Sequence, residues 1–316
     1  MRSIFPRDAP PEGWDTVLAD DARLAAGVAA IAQRHGLGRA TRRRYDSGSV
    51  PVYALGEQHV LKLFPPDQVA FANVESRVLA FVAEKLPLPT PAIKAVDALE
   101  DWHYILMTQL RGARASQVWP AFSALERDRL ADHLGHSLSA LHALGVTALE
   151  PIEPRWDKFV AAQLASAVDR QRDRGLAPQW LEQIPDFLER WRPAPGGARA
   201  LLHTEVMREH LMVERAADGW RLSGLFDFEP AMVGDPAYEF ASVGLFVACG
   251  DARFLRRTLR AYGKPQADID DGLACRYMAC ALLHRYSNLP WYLQRLPPQG
   301  ETTLEQLAQQ RWWALQ

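Results

Sequence analysis

Two hydrophobic periods run along the chain, and the place where one gives way to the other divides it. Leu24, Val28 and Ile31 recur at helical spacing and predict a helix over residues 21–35. Period-2 alternation then takes over. Residues 40–45, a D-S-G-S turn at 46–49, residues 52–55, a Gly56-Glu57-Gln58 turn and the run H-V-L-K-L-F at 59–64 read as three antiparallel strands. Helical spacing returns over residues 67–84, where Val69, Val74, Val78, Phe81 and Val82 form the apolar stripe and Pro87, Pro89 and Pro91 end it. Two more strands, residues 92–98 and 103–109, turn at Asp101, which makes five strands and one helix in this region.

After Leu110-Arg111-Gly112 the pattern becomes mainly helical, with amphipathic segments at 125–144, 157–174 and 179–191 and again from Pro236 onward. We therefore expect an N-terminal arm over residues 1–20, a sheet-bearing lobe over 21–110 and a helical lobe over 111–316. One stretch interrupts the helices. A short strand at Leu201-Leu202 ends in His203, a second begins at Leu211, and a polar hairpin returns through residues 222–226 to deliver Asp227. This predicts one small sheet that brings Glu205, His210 and Asp227 together.

At 316 residues the chain is long for a single core and suits two lobes. Its 48% hydrophobic and 23% charged residues describe an ordinary globular protein. The net charge of −2 favours no partner, and the arginines form no aromatic-interleaved basic stripe, so nucleic acid is not expected. The N-terminus lacks the apolar run of a secretory signal. The most apolar run, residues 240–249, is too short to cross a bilayer. Cys249, Cys275 and Cys280 are odd in number and lack C-x-x-C spacing, which points to a reduced cytoplasmic protein without structural disulfides or cysteine-held zinc.

The polar residues that the strands carry suit phosphoryl transfer, which needs nucleotide phosphates held, divalent metal across them and an acceptor hydroxyl oriented in line. Alternation places Val60, Lys62 and Phe64 on one face of their strand. A mid-strand Lys is costly to bury unless a charge meets it, and Glu75 on the following helix can supply that charge, although by itself Lys62 also fits a solvated edge. Ser47, Gly48 and Ser49 could cover phosphates with backbone N–H groups, as could any hairpin turn. Asp227 emerges from an apolar strand into a turn, where with Glu229 it suits a hard cation and where a turn-capping Asp would also sit. Asp235, before Pro236, reads as an N-cap.

Taken in order, these motifs resemble the aminoglycoside phosphotransferase and choline kinase group of small-molecule kinases. The family pattern H-G-D-x-x-x-x-N, D-x-[DE] and G-D-P-x-x-D reads here as H-T-E-V-M-R-E-H, D-F-E and G-D-P-A-Y-E, with V-L-K, the helix Glu and Y-I-L-M-T-Q-L-R-G upstream. The likeness covers roughly residues 40–285 and extends to hygromycin B and macrolide phosphotransferases. It implies an α+β, bilobal protein kinase-like fold, with a five-stranded antiparallel sheet and a helix in the first lobe. It further implies ATP and Mg²⁺, with Mn²⁺ as the alternative, and a small-molecule alcohol acceptor for a monomer or homodimer. Lys62 would bind the α- and β-phosphates, Glu75 would position it, and Thr108, Gln109 and Leu110 would offer backbone to the adenine. Asp227, with Glu229 and His210, would hold metal; Glu205 with His203 would serve catalysis; Glu239 would brace the loop.

Three letters depart from the pattern. Thr204 replaces Gly, from which no left-handed backbone is expected there. His210 replaces Asn, a softer donor that suits Mn²⁺ or a water-mediated contact. Glu205 replaces the catalytic Asp and reaches about one C–C bond further, a displacement on the scale where about 1 Å costs roughly a hundredfold in rate. A zinc nucleobase deaminase is excluded because the cysteines read A-C-R-Y-M-A-C, without P-C-x-x-C. The remaining alternative is a catalytically impaired, kinase-like nucleotide-binding regulator. For the acceptor, residues 157–192 balance six acidic against six basic residues, and the C-terminal helices carry Tyr277, Tyr286, Trp291 and Tyr292 among arginines. A neutral or anionic, partly apolar alcohol fits that better than a polyamine.

Overall fold

The structure, a computed structural model, describes residues 4–6, 13–46, 48–149, 152–217 and 219–315. It divides into two compact units: Met1–Lys85 with Pro89–Arg111 and Phe226–Glu229, and Leu86–Leu88 with Gly112–Leu225 and Pro230–Gln316.

The first unit is built on an antiparallel sheet of β1 (Arg42–Arg44), β2 (Val52–Leu55), β3 (His59–Phe64), β4 (Ile93–Leu99) and β5 (Trp102–Thr108) in the order β1-β2-β3-β5-β4. β3 is central, with Lys62 opposite Val52 on one side and Ile105 on the other. The helix Val69–Val82 buries Ala72, Glu75, Val78, Leu79 and Val82, a stripe at helical spacing into which one acid is inserted. Helix Asp21–Arg34 starts where the Asp20 carboxylate accepts the Ala22 and Arg23 N–H groups, and it buries Leu24, Val28 and Ile31 as the periodicity predicts. Of the residues expected as an arm, Phe5, Val17 and Leu18 belong to this core, and 1–3 and 7–12 lie outside the described residues. Trp14–Ala19 is helical, and Phe5 stacks on Trp102 at 4.8 Å over Gly27, where a Cβ would come within 2.0 Å of the ring. The reason is burial: Phe5 and Val17 are apolar enough to join the helix and sheet core, and the arm's polar residues masked that.

The second unit is mainly helical. Ala124–His142 begins with a Ser123–Glu126 capping box and crosses Ala252–Tyr262 closely, with Gly135 at the crossing. A Cβ there would meet the Thr258 carbonyl at 2.3 Å. The predicted helix over 179–191 is two pieces, Pro178–Leu181 and Ile184–Trp191, because Pro185 has no N–H to continue the first into the second.

The small sheet expected around residues 200–227 is two sheets. β7 (Ala200–Leu202) pairs with β10 (Met232–Gly234), whereas β8 (Leu211–Ala216) pairs with β9 (Gly219–Leu225) and β6 (Ala113–Arg114). β7 carries three buried residues, so it needs covering on both faces and finds its partner beyond the Asp227 turn and not in the adjacent hairpin. Among the described residues no helix is long and apolar enough to cross a membrane.

Gly135→Ala is expected to lower unfolding stability by about 1–3 kcal/mol by forcing the two helices apart. A urea titration followed by circular dichroism measures it, and an unchanged midpoint would contradict the close crossing.

Candidate active site

The first unit concentrates charge around one ammonium. Lys62 Nζ lies 2.8 Å from Glu75 Oε2, 2.6 Å from Asp227 Oδ1 and 2.7 Å from Glu229 Oε2. Only the Asp227 contact has hydrogen-bond geometry; the facing oxygens of Glu75 and Glu229 are buried and accept no hydrogen bond. Lys62 is 5% exposed, so the solvated edge is not where it lies. Burial works against its charge, but Asp227, Glu75 and Glu229 outweigh that and hold the ammonium well above the usual lysine range. Burial pushes the Glu75 carboxyl up to about 7, reinforced by the two neighbouring acids and opposed by Lys62.

Three carboxylates around one cation leave an excess of negative charge. Glu75, Asp227 and Glu229 each offer an oxygen within 4.8 Å of the others. An all-oxygen donor set with more negative charge than Lys62 neutralises fits a hard divalent cation. Ser49 donates to Glu229 Oε1 at 2.7 Å, so the Gly48 turn is tied to this cluster. Gly48 has φ 140, and Ser47 lies outside the described residues. Val60 lies two residues before Lys62 in β3 and is half-buried. At the expected adenine contact, the Thr108 N–H is donated to Ala92 and the Gln109 N–H to Gln58, at 2.9 and 2.8 Å.

The second unit holds the catalytic-loop candidates on a buried carboxylate. Glu239 accepts the N–H groups of His203 and Thr204 at 2.7 and 2.8 Å, with no exposed surface. His142 lies 3.5 Å from the same carboxylate, and its other ring nitrogen is 2.9 Å from the Tyr262 hydroxyl. Thr204 has φ 72, so the left-handed backbone, not expected at a threonine, is present. Its cost, about 1–3 kcal/mol for a β-branched residue, is offset by bonds that fix the peptide on every side. Thr204 Oγ1 donates to the Pro230 carbonyl at 3.2 Å, while the Thr204 carbonyl accepts from Ser242 Oγ at 2.5 Å and from His284 Nε2 at 3.1 Å.

His203 Nδ1 accepts the Glu205 N–H at 3.3 Å, and His210 Nδ1 donates to the Glu205 carbonyl at 2.8 Å. A carbonyl can only accept, so His210 carries a proton on Nδ1. Asp235 accepts the Ala237 N–H at 2.9 Å ahead of Pro236, as its N-cap reading required.

Sequence reasoning missed Arg208, Trp119, Ser242, His142 and His284. Arg208 stacks over Trp119 at 3.8 Å and donates twice to the Val247 carbonyl, pinning the loop's second half. The partners stand far apart in sequence and carry no spacing signal.

The fold is protein kinase-like, and the chain belongs to the phosphotransferase enzyme family: residues 41–276 match that family, well over half the chain. It resembles the GDP complex of wild-type aminoglycoside 2'-phosphotransferase-IIIa at TM-score 0.69 and 16% identity, over 86% of this chain and 95% of that one. Apo macrolide 2'-phosphotransferase MphH from Brachybacterium faecium superposes at 0.60 with 21% identity, over 87% and 99%. Lysine-specific demethylase JMJ21 of Arabidopsis thaliana is 26% identical over 204 residues, 52% of this chain and 22% of the demethylase's own length.

Buried His284 is held neutral, its imidazole pushed down to about 4 chiefly by burial. The unfolded chain therefore takes up a proton between about pH 6.5 and 4 that the fold refuses, and this costs on the order of 3 kcal/mol as pH falls through that window. Glu75 acts in the opposite sense, because its raised folded value costs stability as pH rises from about 4.5 to 7. The difference between wild type and H284Q, which keeps an N–H for the Thr204 carbonyl, isolates the histidine. Wild type should lose stability relative to H284Q as pH falls from 6.5 to 4 in urea titrations; a constant difference would show His284 charged in the fold.

Proposed function

We propose that the protein transfers the γ-phosphoryl group of a nucleoside triphosphate, ATP in the first instance, to a hydroxyl of a small molecule. The observation that carries the reading is the buried Lys62–Glu75–Asp227–Glu229 cluster, since an excess of buried acid is costly and a cationic guest would relieve it. Family membership supports it, and GDP bound to a phosphotransferase of the same fold supports a nucleotide here.

Lys62 is the phosphate-binding cation, and Glu75 fixes it. Val60 lines the nucleotide face, Gly48 and Ser49 cover the phosphates, and the backbone donor for the base falls to Leu110, because Thr108 and Gln109 have given theirs to the Ala92 and Gln58 carbonyls. Asp227 and Glu229 would be the oxygen donors for Mg²⁺ or Mn²⁺, with His210 a further candidate only by its place in the family's motif. The cation, when bound, neutralises charge on the phosphates. Glu205 accepts the acceptor's hydroxyl proton as the new O–P bond forms and the bond to the nucleoside diphosphate oxygen breaks. His203 and His210 position Glu205 through its backbone.

The test is nucleotide consumption and product phosphorylation over an alcohol panel, with ATP and GTP and with Mg²⁺ and Mn²⁺. Glu205→Gln and Asp227→Ala should each lower kcat by about a hundredfold or more, while Glu205→Asp retains turnover. A second reading, a nucleotide-binding switch, is favoured by Glu205 standing where the family carries Asp. Tight nucleotide binding without turnover in wild type and Glu205→Asp alike would establish it and end the kinase proposal.

A further inference from the structure

The peptide between Thr204 and Glu205 is planar and carries the Thr204 carbonyl at one edge and the Glu205 N–H at the other, so whatever fixes the carbonyl aims Glu205. That oxygen can accept twice, and it does. It accepts from Ser242 Oγ at 2.5 Å, which by itself satisfies a buried carbonyl, and from His284 Nε2 at 3.1 Å. The second bond is therefore not needed for satisfaction; it removes the rotation that a single bond leaves. The N–H edge is held more loosely, by His203 Nδ1 at 3.3 Å, and the whole plane follows a residue at φ 72.

His284 is itself held firmly. Its Nδ1 accepts the Tyr286 N–H at 3.3 Å, which leaves Nε2 as the protonated nitrogen and the donor to Thr204. Its ring stacks on Tyr238 at 5.1 Å and 15°, and the Tyr238 hydroxyl accepts the Arg285 N–H at 2.9 Å. The turn 283–288 joins helices Asp271–Leu282 and Leu289–Arg295 and is clamped to helix Trp156–Asp173. From that helix Arg170 donates to the carbonyls of Leu282, His284 and Arg285 at 3.2, 3.1 and 3.3 Å. Gln171 bonds the Ser287 hydroxyl at 2.9 Å and accepts the Leu289 N–H at 2.8 Å. A histidine that merely fills space against Tyr238 would need none of these; a strut from a clamped turn to a strained loop needs them all. We propose that His284 is a positioning residue for Glu205: its bond to the Thr204 carbonyl hangs the direction of the proton-accepting side chain on the turn 283–288. The role of Glu205 rests on the phosphotransferase reading, to which His284 adds a residue from outside the loop.

Ring packing and donation are separable by substitution. His284→Phe keeps a ring against Tyr238 and removes the donor, whereas His284→Gln keeps a donor and removes the ring. His284→Phe should lower kcat about tenfold or more with the KM for ATP unchanged, and His284→Gln should stay within about threefold of wild type. Amide hydrogen exchange reads the same bond without turnover. Residues 203–206 should exchange about tenfold faster in His284→Phe and near the wild-type rate in His284→Gln, with helix Ala124–His142 unchanged in both. His284→Gln more impaired than His284→Phe, faster exchange spread over the whole second unit, or exchange at 203–206 unmoved in both variants overturns the proposal. If no protein, wild type included, phosphorylates any alcohol while the exchange difference stands, the positioning of Glu205 holds and the phosphotransferase reading alone fails.

Discussion

The first unit depends on a buried ammonium that is outnumbered by its counter-charges. From a central strand Lys62 reaches three carboxylates, one on a helix and two on a four-residue segment whose Asp227 is 165 positions away. Removing any one acid leaves the others closer to balance, while removing the lysine leaves three buried acids with no cation. This asymmetry explains why Phe226–Glu229 groups with the first unit although the strands on either side of it belong to the second. It also explains the raised Glu75 carboxyl: burial penalises its charge, and a second cation near the cluster would bring it down again.

The second unit solves a different problem, holding a strained peptide. Thr204 sits at positive φ, and its N–H, carbonyl and hydroxyl are all bonded to elements from other parts of the unit. Glu239 is central because one carboxylate takes two successive N–H groups, which no neutral side chain does as well. The methylene by which it exceeds the family's Asp therefore does not keep it from the loop. His284 is neutral in its buried place against Tyr238, with Nδ1 accepting the Tyr286 N–H at 3.3 Å and the Nε2–H donated to the Thr204 carbonyl.

Much of the first unit was legible because its signals are local. Strand β3 was read at its observed limits, and Lys62 and Glu75 were paired from the alternation of one element and the packing of the next. The addition of Asp227 and Glu229 to that pair was not legible, since proximity across so many residues leaves no periodicity. Thr204 misled for a related reason: a residue type that disfavours positive φ reports intrinsic preference, and here tertiary bonds override it. The arm and the small sheet failed together on burial. Phe5 and β7 each needed covering by partners that the local pattern does not name.

The longer acid at Glu205 poses the question of where its extra methylene is absorbed. A shift of the loop would have to break bonds on both sides of the residue, since its N–H is held by His203 and its carbonyl by His210. It would also disturb Thr204, whose partners are buried, and each lost bond there costs about 1–3 kcal/mol. Turning the side chain to an off-rotamer torsion costs about 0.5–1.5 kcal/mol and leaves the backbone untouched. The cheaper adjustment lies in the side chain, so the backbone around Glu205 keeps its bonds and the carboxylate alone changes position. That also makes Glu205→Asp an informative substitution: it alters reach without altering the scaffold, and its effect on rate measures distance rather than folding.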